Sequence, residues 1–222
     1  VNWLTCQAVI FDLDGVLVDS TAVVERTWRR WAASRGLDFE AVMQVAHGRR
    51  AVETVRLAAP HLDTEAEAAR LTAQEARETE GLVRIEGASQ LVCSLPEGGW
   101  AVATSGTREI ATTRLTFAGV PLPAVLITAD DVERGKPDPR VYMLAAERLG
   151  VPSADCVVIE DAPAGIQGAR AAEMPVIAVA TTYPRQALQD ADAVAACLSD
   201  IHASTGDGCI TICVGGDHAA AD

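Results

Sequence analysis

The chain of 222 residues is long enough to bury a sizeable core and sits between one large domain and two small ones. Apolar residues make up 49% and charged residues 22%, which is ordinary globular usage. A formal net charge of -13 argues against nucleic acid or an anionic membrane surface as partner, since both attract basic patches. A small anionic substrate needs only local positive charge inside a cleft.

Residues 6–11 read as the first strand, an apolar run that suits a parallel strand covered on both faces. It ends in Asp12-Leu13-Asp14-Gly15. Ligands of open α/β sheets bind at this edge. Two carboxylates held there repel each other, and Mg²⁺, which takes oxygen ligands, relieves the conflict; a solvated turn is the alternative. Ser20 is placed as an N-cap, opening a helix with Val23, Val24, Thr27, Trp28 and Trp31 on one face and Gly36 at its end. From there to about 87 no strand pattern is found. Short helices are expected over 38–46 and 51–59, separated by His47-Gly48-Arg49-Arg50, and Thr64 to Glu67 reads as a capping box opening a longer helix that ends near Gly81. This all-helical block has the signature of an insertion.

Strand and helix then alternate. Strands are expected over 100–104, 124–128, 157–159, 175–179 and 193–195, and helices after Thr107, Pro139 and Ala162. Asp138 is expected as a cap and Gly150 as a stop. Residues 210–214 are expected as an edge strand. The fold class is therefore α/β, a parallel sheet with helices on both faces. The six cysteines suggest no disulfide framework; Cys6, Cys93 and Cys156 read as core residues, and Cys209 and Cys213 lack the companions of a zinc set. No apolar run reaches the length of a membrane span, so a soluble cytoplasmic protein is expected.

Polar residues at the strand ends assemble into one expected site: Asp12 and Asp14, Thr104 and Ser105, Lys136, and Glu160 with Asp161. Carboxylates, a cation and a lysine suit phosphoryl transfer. Four motifs in this order resemble the haloacid dehalogenase (HAD) superfamily phosphohydrolases with a helical cap, in the branch of sugar-phosphate phosphatases and β-phosphoglucomutase: Asp12 to Ser20, Ala101 to Ser105, Lys136 to Pro139, and Glu160 to Ile166. The resemblance implies a Rossmann-like HAD core of residues 1–17 and 88–222 with an inserted helical cap of residues 18–87. It implies Asp12 as nucleophile, and Asp14 as general acid and then base. It also implies Leu13, Thr104, Ser105 and Lys136 as phosphate binders, and a Mg²⁺ site from Asp12, the Asp14 carbonyl, Asp161 and Glu160. The loop His47, Gly48, Arg49, Arg50 is the candidate for substrate contact from the cap. True dehalogenases of the superfamily lack the second aspartate, present here as Asp14, and the mutases carry a histidine where ungapped counting puts Val24. The expected activity is Mg²⁺-dependent hydrolysis of a small phosphorylated metabolite, a sugar or polyol phosphate, through an aspartyl-phosphate, by a monomer or a dimer. The alternatives are a phosphosugar mutase or a catalytically silent ligand-binding relative.

Overall fold

In the computed structural model, residues 2–46, 48–206 and 208–215 are described. The chain opens with β1 (Asn2–Cys6), β2 (Ala8–Phe11) and β3 (Val18–Asp19). Four helices follow: α1 (Thr21–Arg35), α2 (Phe39–Ala46), α3 (Ala51–Ala58) and α4 (Thr64–Glu75). Next come β4 (Val83–Arg84), α5 (Ala88–Cys93), β5 (Trp100–Ala103), α6 (Arg108–Ala118) and β6 (Val125–Ile127). The chain continues through α7 (Arg140–Leu149), β7 (Cys156–Glu160), α8 (Pro163–Ala171) and β8 (Val176–Val179) to β9 (Ala193–Ala195), β10 (Ile201–Gly206) and β11 (Cys209–Val214).

The main sheet has the order β6-β5-β2-β7-β8-β9, and every neighbouring pair is parallel. Both faces of its strands are buried, which is why they read as near-continuous apolar runs. Alternation along β2 sends Val9 and Phe11 into one apolar cluster and Ala8 and Ile10 into another on the opposite face. Helices α1 to α4 close a third cluster of their own around Trp28, Trp31, Met43, Val55 and Leu71. The chain enters and leaves these helices through β3 and β4, which pair antiparallel as Val18↔Arg84 and Asp19↔Val83.

Several local expectations change. The stretch 6–11 is split at Gln7, whose N–H donates to Asp155 O at 2.7 Å. Residues 2–6 belong instead to a separate antiparallel sheet, β1-β11-β10, in which 209–214 form the central strand and not an edge. The pair β3–β4 was not expected, because two-residue strands carry no alternation. Asp63, not Thr64, caps α4 by accepting from Ala66 N at 3.1 Å. Ser20 occupies the N-cap position of α1 but donates its hydroxyl to Asp14. Cys93 is exposed, because the turn of α5 that buries Leu91 and Val92 carries it outward.

A carboxylate holds the helical block together. Glu67 of α4 is 6% exposed and accepts from Trp31 Nε1 at 2.7 Å and from Arg35 Nε and Nη2 at 2.9 and 2.7 Å. The Arg35 hydrogen bonds, followed by that of Trp31, hold its carboxyl down at about 2. A depressed folded-state pKa stabilises above the unfolded value of about 4.3, and that stabilisation is lost as pH falls toward 2. Glu67→Gln should lower Tm at pH 7 by about 2–4 °C. The deficit should vanish between pH 4.5 and 2 in thermal scans across that range.

Candidate active site

Strands β2, β5 and β7 end side by side, and their C-terminal edge carries the polar residues. Asp12 follows β2, with its N–H donating to Ile159 O of β7 at 2.9 Å. Thr104 follows β5, and Glu160 and Asp161 lie at the end of β7. Lys136 reaches in ahead of α7. Its Nζ donates to Asp12 Oδ1 and to Glu160 Oε1, both at 2.6 Å. Asp12, Lys136, Glu160, Asp161 and Thr104 are all buried.

The charges do not cancel. Three buried carboxylates face one ammonium, and oxygens of Asp12, Glu160 and Asp161 lie within 4.8 Å of one another. Burial pushes the Asp12 carboxyl up to about 7 against the opposing charge of Lys136. Burial, with Glu160 and Asp12 nearby, drives Asp161 well above the usual carboxylate range. Burial acts on Glu160 in the same sense, but Lys136 and its other hydrogen bonds hold it below the usual value. Lys136 stays firmly protonated despite burial, because Asp12 and Glu160 flank it.

Glu160 is fully engaged. Oε1 accepts from Lys136 and from Tyr142 Oη at 2.7 Å, and Oε2 accepts from Asp161 N and Ala162 N, each at 2.9 Å. Asp12 and Asp161 retain oxygens for a cation. The backbone preserves room beside them. Gly15 has φ +78°, and a Cβ there would lie 2.0 Å from Asp161 Oδ2. A Cβ at Gly165 would lie 1.8 Å from Glu160 Oε1. Buried, hard oxygen donors in charge excess fit a hard divalent cation.

The cavity beside these carboxylates is bounded below by Asp12, Asp14, Thr104 and Lys136, and above by Thr21, Val24 and Trp28 of α1, with Gly48 and Arg49. Gly48 is joined to the core, accepting from Ser105 Oγ at 3.0 Å. The two arginines of that loop separate. Arg49 lines the cavity, whereas Arg50 donates from Nη1 to Glu133 O, and Glu53 accepts from Gly135 N at 2.7 Å. Arg50 thus fastens α3 to the loop before Lys136. His47 lies outside the described residues. Leu13 sits between the two aspartates with its side chain in the core. Trp28 and Trp31 pack edge to face in the helical core, and Trp28 also reaches the cavity. Arg108 pairs with Asp131 on the surface, and Asp19 caps Thr21 N, so neither enters the site.

The sequence model of the haloacid dehalogenase-like hydrolases matches residues 6–173. The chain belongs to that family. Among curated relatives, Hexitol phosphatase A of Escherichia coli is 42% identical over 203 residues, covering 89% of this chain and 94% of the relative. Glycerol-1-phosphate phosphohydrolase 2 of Saccharomyces cerevisiae is 35% identical over 199 residues, covering 84% and 80%. A hydrolase of known structure from Pseudomonas syringae superposes with a TM-score of 0.76 at 26% identity, covering 86% of this chain and 94% of that one.

Three residues of this HAD-like site escaped sequence reasoning. Arg114 is buried on α6 and donates from Nη1 to Asp14 Oδ2 at 2.6 Å; its other partner is Glu75 of α4. Tyr142 is fully buried against Glu160. The signal for Arg114 was present. It falls on the helical face of Ile110, Ala111, Leu115 and Ala118, and a charge on an apolar stripe demands a buried partner.

Proposed function

We propose that this chain is a Mg²⁺-dependent phosphatase that hydrolyses a small sugar or polyol phosphate through an aspartyl-phosphate on Asp12. Family membership and relatives named as phosphatases make it a phosphoric monoester hydrolase. The carrying observation is the charge arrangement: Asp12 is desolvated and fixed by Lys136, inside a buried cluster whose carboxylates outnumber its cation.

Each step follows from the side chains. Lys136 orients one oxygen of Asp12 and leaves the other for attack on phosphorus. Thr104 and the amides of Leu13 and Ser105 take the phosphoryl oxygens, and Lys136 offsets their charge. As the bond from phosphorus to the ester oxygen breaks, Asp14 gives its proton to the leaving alkoxide. The resulting carboxylate then takes a proton from water, which attacks phosphorus and frees phosphate and Asp12. Asp12, Asp161 and the Asp14 carbonyl would hold Mg²⁺, which when bound supplies neutralisation of phosphate charge. Glu160 acts through Lys136, which it holds against Asp12.

Residues 18–87 serve as the cap, and residues 1–17 and 88–222 as the core. The polyol class is supported by the names of the two phosphatase relatives and by a cavity wall that mixes hydroxyls, a tryptophan and Arg49. Arg49 is the cap residue placed to meet the substrate's polar end, while Arg50 is committed to docking. Val24 lines the cavity with no proton-transferring group, which favours hydrolysis over a mutase. With Mg²⁺, glycerol 1-phosphate and hexitol phosphates should release free phosphate. β-Glucose 1-phosphate tests the alternative: accumulation of glucose 6-phosphate in place of free phosphate would identify a mutase.

A further inference from the structure

Asp14 is held at both oxygens. Ser20 Oγ donates to Oδ1 at 2.7 Å, and Arg114 Nη1 donates to Oδ2 at 2.6 Å. Arg114 is 4% exposed and sits on α6, in the core. Its Nη2 donates to Glu75 Oε1 at the end of α4, in the helical block. One guanidinium therefore ties the carboxylate nearest Asp12 in sequence to the opposite side of the β3–β4 connection. Both Arg114 and Glu75 also face the cavity.

We propose that Arg114 is a positioning residue. Clamped by Glu75 when α4 is packed down, it aims the Asp14 carboxyl at the leaving-group oxygen and so couples docking of the helical block to proton delivery. The proposal rests on the reading of Asp14 as the proton donor. A guanidinium is a planar fork with fixed donor directions, so fixing one end fixes the other. A lysine could satisfy either carboxylate but could not transmit orientation between them. The bridge is also expensive to keep: a buried ion pair is weak support for stability, and apolar residues on this face of α6 would pack as well. A tie serving only the packing of α4 would not need to end on Asp14. With Ser20 on the other oxygen, the plane of the carboxyl is set from two directions; in the acid form the proton is carried on Oδ1, where the Ser20 hydroxyl can turn to accept it, and Arg114 keeps its hold on Oδ2. Release of Glu75 leaves Arg114 free to swing and only Ser20 holding Asp14.

The test compares kcat/KM, which reports phosphoryl transfer to the enzyme, for glycerol 1-phosphate and p-nitrophenyl phosphate. The nitrophenolate leaves without a proton; the alkoxide does not. Arg114→Met and Glu75→Gln should lower kcat/KM for the alkyl ester by about 10–100-fold and for the aryl ester by less than about threefold. Arg114→Lys should recover little of the alkyl loss, because an ammonium restores the charge without fixing the direction of the carboxyl; full recovery by lysine would overturn the positioning role. The double variant Arg114→Met/Glu75→Met removes the orphaned buried carboxylate and should show the same ester dependence if the single variant folds poorly. An equal loss on both esters would overturn the proposal, because a merely structural role scales both alike. Amide hydrogen exchange reads the coupling without turnover. Exchange in α4 and β3–β4 should rise about tenfold or more in Arg114→Met and in Glu75→Gln, and unchanged exchange would overturn the coupling. A wild-type protein that cleaves neither ester would fail the phosphatase reading, and exchange would still decide whether the bridge holds α4 down.

Discussion

Asp12→Asn eliminates turnover, with kcat falling by about 10⁴-fold or more, while the protein stays folded. The amide keeps the shape of the side chain and an oxygen for Lys136, but it is no longer a nucleophile. Lys136 is not orphaned by the change, because Glu160 still accepts from it at 2.6 Å. One of three buried carboxylates is neutralised, so Tm in the absence of metal should hold or rise. Activity and stability thus move apart. Release of phosphate from glycerol 1-phosphate, together with thermal unfolding of the same preparation, checks both halves. A variant that retains a tenth of parental kcat would assign the attack to another group.

Lys136→Met lowers stability and activity together. Removing the ammonium leaves Asp12 and Glu160 buried with no cation between them, and breaking such a pair costs about 3–5 kcal/mol. For a chain of this length that lowers Tm by roughly 6–20 °C. The phosphoryl group loses a fixed positive charge and Asp12 loses its aim, so kcat/KM should fall by about 10²–10³-fold. Adding Glu160→Gln should restore part of the Tm but none of the activity. That non-additivity separates the stabilising role of the Lys136–Glu160 pair from its chemical role. A single variant as stable as the parent would show that the buried charges are relieved in some other way.

The strands of the main sheet were legible because burial on both faces leaves an unmixed apolar run, as at Val157 to Ile159. The helices announced their ends through left-handed glycines, Gly36 after α1 and Gly150 after α7. The site residues were legible as a set because each ends a parallel strand or precedes a helix at one edge. What could not be read is non-local. The pairing of β1 with β11 joins the two ends of the described chain, and nothing within either segment names its partner. The Arg114 bridge spans 100 residues to Asp14 and 39 to Glu75. Its presence was hinted at by a charge on an apolar face, but its partners were not. The division of labour between Arg49 and Arg50 also depended on folding. Two adjacent arginines look alike in sequence, and the bend leading into α3, with Arg50 extended at its N-cap, sends one toward the cavity and the other toward Glu133.

The central claim is that Asp12 carries the phosphoryl group between substrate and water. Two successive in-line displacements, first by Asp12 and then by water, each invert the configuration at phosphorus, so together they retain it. Direct attack by water inverts it once. The measurement is therefore the stereochemical course of hydrolysis of a phosphate monoester made chiral at phosphorus with oxygen isotopes, read by phosphorus NMR of the product. Net retention is the predicted result. Net inversion would contradict the aspartyl-phosphate and leave Asp12 with a different task.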